Sequence, residues 1–112
     1  MIALTRDPDT LLGRPYSADF HCWDFIEACT DVPTVEELAI EHAKEEIDSR
    51  VADYTKLISP VDPCLVRLGA NHVGVYTNGG VYHNSRTHGV VFHPLRVLRR
   101  LFYPINFYTK AD

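Results

Sequence analysis

The sequence has no long hydrophobic run, since a membrane-spanning helix needs roughly 18 consecutive apolar residues and no such stretch is present. Its first ten residues, MIALTRDPDT, carry acidic side chains where a signal peptide has a basic and then an apolar stretch. The formal net charge of −4 leaves no basic excess for nucleic acid. We therefore expect a chain made in the cytoplasm without a signal peptide, with no membrane-spanning segment and no nucleic-acid partner.

Cysteines are few. The chain has three, Cys22, Cys29 and Cys64, an odd number with no CxxC spacing. This pattern fits neither a disulfide framework nor a zinc knuckle. Free thiols are expected, and no motif calls for a cofactor.

The length and composition are those of one globular domain. A chain of 112 residues with 46% hydrophobic and 23% charged residues is large enough for one core and too small for two domains. Residues 1–112 are thus expected to fold as a single unit.

The first half of the chain has helical periodicity. Apolar residues recur at i, i+3, i+4 and i+7 from Cys22 to Cys29, which predicts a short helix from about residue 20 to residue 30 with Asp19 as its N-cap. Cys22 then lies in the first turn, on the inward face.

A second and longer helix is predicted over about residues 34–57, with Thr34 as its cap and Glu37 three residues later. It is mostly polar, so we expect a largely solvated, insertion-like element. Its apolar stripe comprises Leu38, Ile47, Val51, Tyr54 and Leu57.

In the second half of the chain the helical spacing of apolar residues gives way to short strand-like runs. CLVRL, HVGVY, GVYHN and GVVFH are short β-rich runs separated by Gly and Asn, and they predict a small antiparallel sheet. PLRVLRRLF predicts one or two helical turns, and INFYTK predicts an edge strand. Helix in front and meandering sheet behind make the fold class α+β.

The most informative stretch is HVGVYTNGGVYH, residues 72–83. Asn78-Gly79 is the strongest short signal for a two-residue type I′ hairpin turn. With that turn Gly74 faces His83, so His72, Gly74 and His83 share one face of the sheet. The two histidines are then diagonal neighbours within hydrogen-bond reach, and Gly74 leaves space between them.

This arrangement suggests nucleophilic chemistry at Cys22. A thiol in the first turn of a helix is near the positive end of the helix dipole, and a neighbouring imidazolium lowers its pKa further. A base that takes the thiol proton needs a third polar group to orient it. Cys22, His72 and His83 would supply a triad in that chain order.

Two other interpretations use the same residues. Cys22 on an apolar helix face is also what a buried structural thiol looks like. The sulfur and two imidazoles could instead hold Zn²⁺ with an open fourth position, although no closely spaced ligand pair such as HExxH or CxxC is present.

The motifs GRPY, HCWDF and SPVDP, followed by NHVGVYTNGGVYH, resemble the NlpC family of papain-like cysteine peptidases. The resemblance covers about residues 13–30 and 60–95. It implies a papain-like fold in which the helix that bears the cysteine packs on a small antiparallel sheet. His21 stands where members of the family usually have Asp.

The resemblance also implies roles for individual residues. Cys22 would be the nucleophile, His72 the general base and His83 the orienting residue. The oxyanion and substrate region would be lined by Tyr16, Trp23 and Gly74.

The Cys-Trp pair and the ending VVFHPLRVLRRLFYPINFYTK look like the branch of the family found among tailed-phage tail-assembly proteins. That branch implies a virion protein that hydrolyses peptide bonds of peptidoglycan stems and has tail proteins as partners. The alternative is a catalytically silent tail-tip or baseplate protein that keeps the peptidase fold, which the aromatic-rich LFYPINFY favours as an interface.

Overall fold

The computed structural model describes residues 1–34 and 43–110, with no statement on the side chain of residue 43, and shows one antiparallel sheet with helices on both faces. A 3-10 helix at Pro8–Leu11 precedes the sheet. The α-helices are α1 (Cys22–Cys29), α2 (Ala43–Val51) and α3 (Leu95–Leu101). The strands are β1 (Thr55–Leu57), β2 (Cys64–Leu68), β3 (His72–Thr77), β4 (Gly80–Ser85), β5 (Gly89–Pro94) and β6 (Ile105–Thr109). The strand order is β1-β6-β2-β3-β4-β5, so the predicted α+β class is confirmed.

The β3–β4 hairpin has the predicted register. Asn78 and Gly79 form the turn with φ values of 56° and 80°. Gly74 pairs with His83, as a two-residue type I′ loop requires. The prediction that His72, Gly74 and His83 share a face of the sheet is confirmed by this pairing.

Alternation along the strands creates two apolar layers, one on each face of the sheet. On one face α1 and α2 cover the first core; on the other α3 covers the second core. The first core contains, among others, Cys22, Trp23, Phe25, Ile26, Ile47, Val73, Val75 and Tyr82. The second core contains Cys64, Val66, Leu68, Val81, Leu98 and Phe107.

The start of α1 differs from the prediction in its cap. Ser17 and Phe20 exchange two backbone hydrogen bonds, so the chain is still in a tight turn at Asp19, and the helix begins at Cys22. The Asp24 carboxylate accepts the His21 backbone N–H at 3.0 Å. Asp19 is therefore not the N-cap, whereas Cys22 is in the first turn as predicted.

The predicted helix over residues 34–57 is shorter at its C-terminal end. Helix α2 stops at Val51, and Thr55–Leu57 is strand β1. Ile47 is fully buried in the first core, so α2 is a packed element of the domain. Residues 35–42 of the predicted helix, Leu38 of its stripe among them, lie outside the described residues.

Strand β6 is a second correction. It was predicted at the sheet edge, but it lies between β1 and β2 and pairs with both. The reason is that Thr55–Leu57 forms a strand instead of a last helical turn and covers β6. Among the helices of the described ranges, none is long and apolar enough to cross a membrane.

Candidate active site

The start of α1 is fixed to the sheet through Asn84 on β4. Its side-chain amide donates to the backbone carbonyl of Phe20 at 2.8 Å and to that of His21 at 3.3 Å. Asn84 is fully buried, so these bonds form in a medium where an unpaired amide would be costly. They hold the residue before Cys22 against the end of β4.

Cys22 lies in the first turn of α1 with its thiol against the backbone of Val73 on β3. Burial raises the pKa of the thiol, and hydrogen bonds from the backbone at Val73, Trp23 and Cys22 itself oppose that rise. The side chain is 5% exposed. At neutral pH the group is therefore a protonated thiol that needs a base before it can attack.

Three imidazoles form a hydrogen-bonded chain across β3, β4 and β5. Nε2 of His72 lies 2.8 Å from Nδ1 of His83, and Nε2 of His83 lies 2.9 Å from Nδ1 of His93. The predicted contact between His72 and His83 is confirmed. His93 joins them because it pairs with Val81, which shares a face of β4 with His83.

Burial keeps the first two members of this chain neutral. It lowers the pKa of His72 to about 4, with a further contribution from the positive charge of Arg86. It lowers the pKa of His83 to about 3, where the other two imidazoles add to the effect. A neutral imidazole has one protonated and one unprotonated nitrogen, so the chain can accept a proton at one end.

The structure joins the two imidazoles to each other, while the predicted meeting of the thiol with them in one cleft stays a prediction. Val73 faces the first core with Cys22, whereas His72 pairs with Leu68 of the second core and points to the other face. Among the hydrogen bonds between described residues, none joins Cys22 to an imidazole. The reason is that α1 packs on the apolar Val73 and Val75 side of β3.

Cys22 of α1 and His72 of β3 nevertheless both lie close to the start of β3. The thiol contacts the backbone of Val73, the residue next to His72, and His72 is the first residue of β3. Within residues 1–34 and 43–110, Nδ1 of His72 has no hydrogen-bond partner. The strand start thus carries a buried thiol on one side and the free nitrogen of an oriented imidazole on the other.

Phe102, which follows α3, covers the histidine pair. Its ring stacks on His72 with centroids 5.8 Å apart and meets His83 edge-on at 6.5 Å. An open cleft of about 660 Å³ extends from Phe102 along β1 and β6. Lys56 and Arg99 place two positive charges at its wall.

The three residues expected to line the oxyanion and substrate region have different surroundings. Tyr16 is half-buried, and the guanidinium of Arg86 lies 6.0 Å from its ring centre. Arg86 also contributes to the lowered pKa of His72, and the expected role of Tyr16 at the oxyanion stays a prediction. Trp23 is only 2% exposed and packs in the first core, so its predicted place at the substrate surface is corrected.

Gly74 is also buried, and it spaces the two imidazoles instead of lining a cleft. A Cβ atom there would lie 2.6 Å from the carbonyl oxygen of Tyr82 and 3.1 Å from Cβ of His83. Only glycine fits between the neighbouring strands at this point.

A zinc site of Cys22, His72 and His83 has no geometric support. In the part of the chain that the structure describes, no three His, Cys, Asp or Glu side chains are grouped so that they could hold a metal ion. The nitrogens of His72 and His83 that face each other already share a hydrogen bond. The three cysteines are unpaired and buried, as predicted for free thiols.

Comparisons with protein families, with curated proteins and with solved structures give no match to this chain.

Three residues of the site were not singled out from the sequence as functional. No motif marks His93, although GVVFHP places it on the strand after His83, and a register for β4–β5 would bring the two together. Asn84 and Phe102 carry no local signal, because their partners lie 64 and 30 residues away in the chain.

Proposed function

We propose that this protein is a papain-like cysteine peptidase or amidase that hydrolyses peptide bonds of peptidoglycan stems as part of a phage tail. The observation that carries the proposal is the start of β3, where a helix-opening thiol lies against Val73 and the neighbouring His72 is oriented by His83 at 2.8 Å. The resemblance of these motifs to the NlpC family supplies the substrate class and the setting.

The chemistry is acyl transfer by a neutral thiol and imidazole pair. Nδ1 of His72 takes the thiol proton as the sulfur of Cys22 attacks the amide carbonyl, and the same proton then goes to the leaving amine. Water, deprotonated by His72, releases the acyl group. In this proposal the backbone N–H groups at the start of α1 stabilise the oxyanion.

This reaction requires the thiol and Nδ1 of His72 to close to hydrogen-bond distance when substrate binds. Catalytic hydrogen bonds are commonly long before substrate is present and tighten in the complex. His72 is the first residue of β3, and the thiol contacts the backbone of Val73, the second residue. Both groups are therefore close to the point where the strand begins.

In this proposal the cleft beside Phe102 holds a part of the peptide away from the scissile bond, because the cleft lies on the α3 face and the thiol of Cys22 on the α1 face. Lys56 and Arg99 give the wall two cations, and Leu57 and Phe107 give it apolar surface. Stem peptides present free carboxylates next to short aliphatic side chains, so their chemistry complements this surface.

The test is digestion of purified peptidoglycan, with mass analysis of the released fragments. Cys22→Ala is expected to lower peptide release by at least about 10³-fold, because the nucleophile is lost. Cys64→Ala is the matched control: it removes a buried thiol from the second core and should leave release within about threefold. Unchanged release by Cys22→Ala would refute the proposal.

A second candidate is the catalytically silent tail-tip or baseplate protein. The observation that favours it is the separation of Cys22 and the imidazoles by the faces of the sheet. In that case wild-type protein, Cys22→Ala and Cys64→Ala all release no fragments.

A further inference from the structure

The hydrogen-bonded imidazole chain does not end at the pair that the proposed mechanism uses. His83 is only 5% exposed, and both of its ring nitrogens are engaged, one with His72 and the other with His93. A third histidine is therefore joined to the base through His83.

The two hydrogen bonds link the tautomers of all three rings. If His72 is protonated at Nε2, it donates to Nδ1 of His83, which must then be protonated at Nε2 and donate to Nδ1 of His93. In the opposite direction, Nδ1–H of His93 donates to Nε2 of His83, and Nδ1–H of His83 donates to Nε2 of His72. His72 is then protonated at Nδ1. Only the first direction leaves Nδ1 of His72 free to accept the thiol proton.

We propose that His93 is a positioning residue of this hydrolase: its Nδ1 accepts from His83 and so holds His72 in the tautomer that can deprotonate Cys22. This inference rests on the proposed function. His93 touches neither the thiol nor the cleft wall, so it acts only through His83.

Removing His93 would reverse the direction in which the imidazoles donate their hydrogen bonds. Nε2 of His83 would be left buried without a partner, and an orphaned N–H is less well tolerated in a protein interior than an orphaned acceptor. His83 would therefore carry its proton on Nδ1 and donate it to His72. His72 would then be protonated at Nδ1, the nitrogen that has to take the thiol proton.

The test compares His93→Leu, which removes the acceptor, with His93→Asn, whose amide oxygen can occupy the place of Nδ1. The matched control is His88→Leu, an exposed histidine in the turn before β5. Hydrolysis of a soluble stem peptide is followed for kcat and KM. We expect His93→Leu to lower kcat by about 10- to 100-fold with KM within twofold, and His93→Asn and His88→Leu to stay within about threefold of wild type.

A second readout is the ¹⁵N NMR spectrum of the imidazoles at neutral pH, which reports which ring nitrogen carries the proton. His72 is expected to be protonated at Nε2 in wild type and His93→Asn, and at Nδ1 in His93→Leu. If His93→Leu does not fold, the smaller His93→Val takes its place. Wild-type tautomers and wild-type kcat in the folded apolar variant would overturn the inference.

The two readouts separate this inference from the proposed function. If wild-type protein hydrolyses no stem peptide, the proposed function fails, and the NMR spectra alone decide whether His93 sets the tautomer of His72. If Cys22→Ala abolishes hydrolysis while His93→Leu leaves both kcat and the tautomers unchanged, the function stands and the inference fails.

Discussion

At the scale of single residues, the contact between His72 and His83 depends on the residue between them in space. Gly74 lies opposite His83, and its missing side chain leaves the volume that the two rings share. Strand interiors rarely carry glycine unless a close approach requires it.

Gly74→Ala is therefore expected to destabilise the protein and to separate the two rings. The new methyl group would lie 2.6 Å from the Tyr82 carbonyl oxygen, so the strands must shift, at a cost of about 1–3 kcal/mol in the free energy of unfolding. Urea titration measures the cost. Thr87→Ala, which shortens an exposed side chain in the turn before β5, is the control and should change stability by less than about 0.5 kcal/mol. Equal stability of wild type and Gly74→Ala would show that the sheet yields at this point without strain.

At the scale of elements, β3, β4 and β5 each bring one histidine to the face covered by α3. His72 and His83 are neutral in the folded protein at neutral pH because their pKa values are about 4 and about 3. In the unfolded chain a histidine has a pKa near 6.5. The unfolded state therefore binds more protons than the folded state below about pH 6.5.

The free energy of unfolding should consequently fall as the pH is lowered. The stability that the neutral imidazoles provide is complete above about pH 6.5 and is lost progressively down to about pH 4 and then pH 3. The shift of His72 alone corresponds to a loss of about 3 kcal/mol by pH 4, and the coupled protonation of His83 adds to it. Urea midpoints measured from pH 7.5 to pH 4 give the slope. His83→Asn should flatten the slope and the exposed His88→Asn should not; a wild-type midpoint independent of pH in this range would contradict the assignment.

Elements with a local signal were predictable from the sequence. The turn at Asn78-Gly79 sets the register of β3 and β4 through its own backbone conformation, so the contact of His72 with His83 followed from a short stretch of chain. The runs assigned to β2, β5 and α3 carry similar local patterns.

What the sequence left open was decided by contacts between distant segments. Thr55–Leu57 continues the helical pattern of α2 but becomes a strand because it pairs with β6, about 50 residues later. The face of β3 that α1 covers was likewise not fixed by the hairpin. Helix α1 packs on the face of β3 that carries Val73 and Val75, so His72 points to the opposite face of the sheet.

At the scale of the whole molecule, one sheet lies between two cores, and the stability of each core depends on the other. The same strands contribute to both layers: on β2 Leu65 lies in the first core and Val66 in the second, and on β4 Tyr82 lies in the first core and Val81 in the second. Loss of either layer would expose one face of every central strand. We therefore expect the two cores to unfold in a single transition, as small domains commonly do.

This coupling can be measured because Trp23, the single tryptophan, lies in the first core and reports on that layer alone. Leu98→Ala removes a fully buried side chain from the second core and should lower the free energy of unfolding by about 2–5 kcal/mol. Its urea midpoint should fall equally by tryptophan fluorescence and by far-ultraviolet circular dichroism. Leu101→Ala, in the same helix but 65% exposed, should change stability by less than about 0.5 kcal/mol. A dichroism midpoint in Leu98→Ala clearly below the fluorescence midpoint would show that the α3 layer separates first, and the histidine chain would then belong to a layer that opens independently of the layer that holds Cys22.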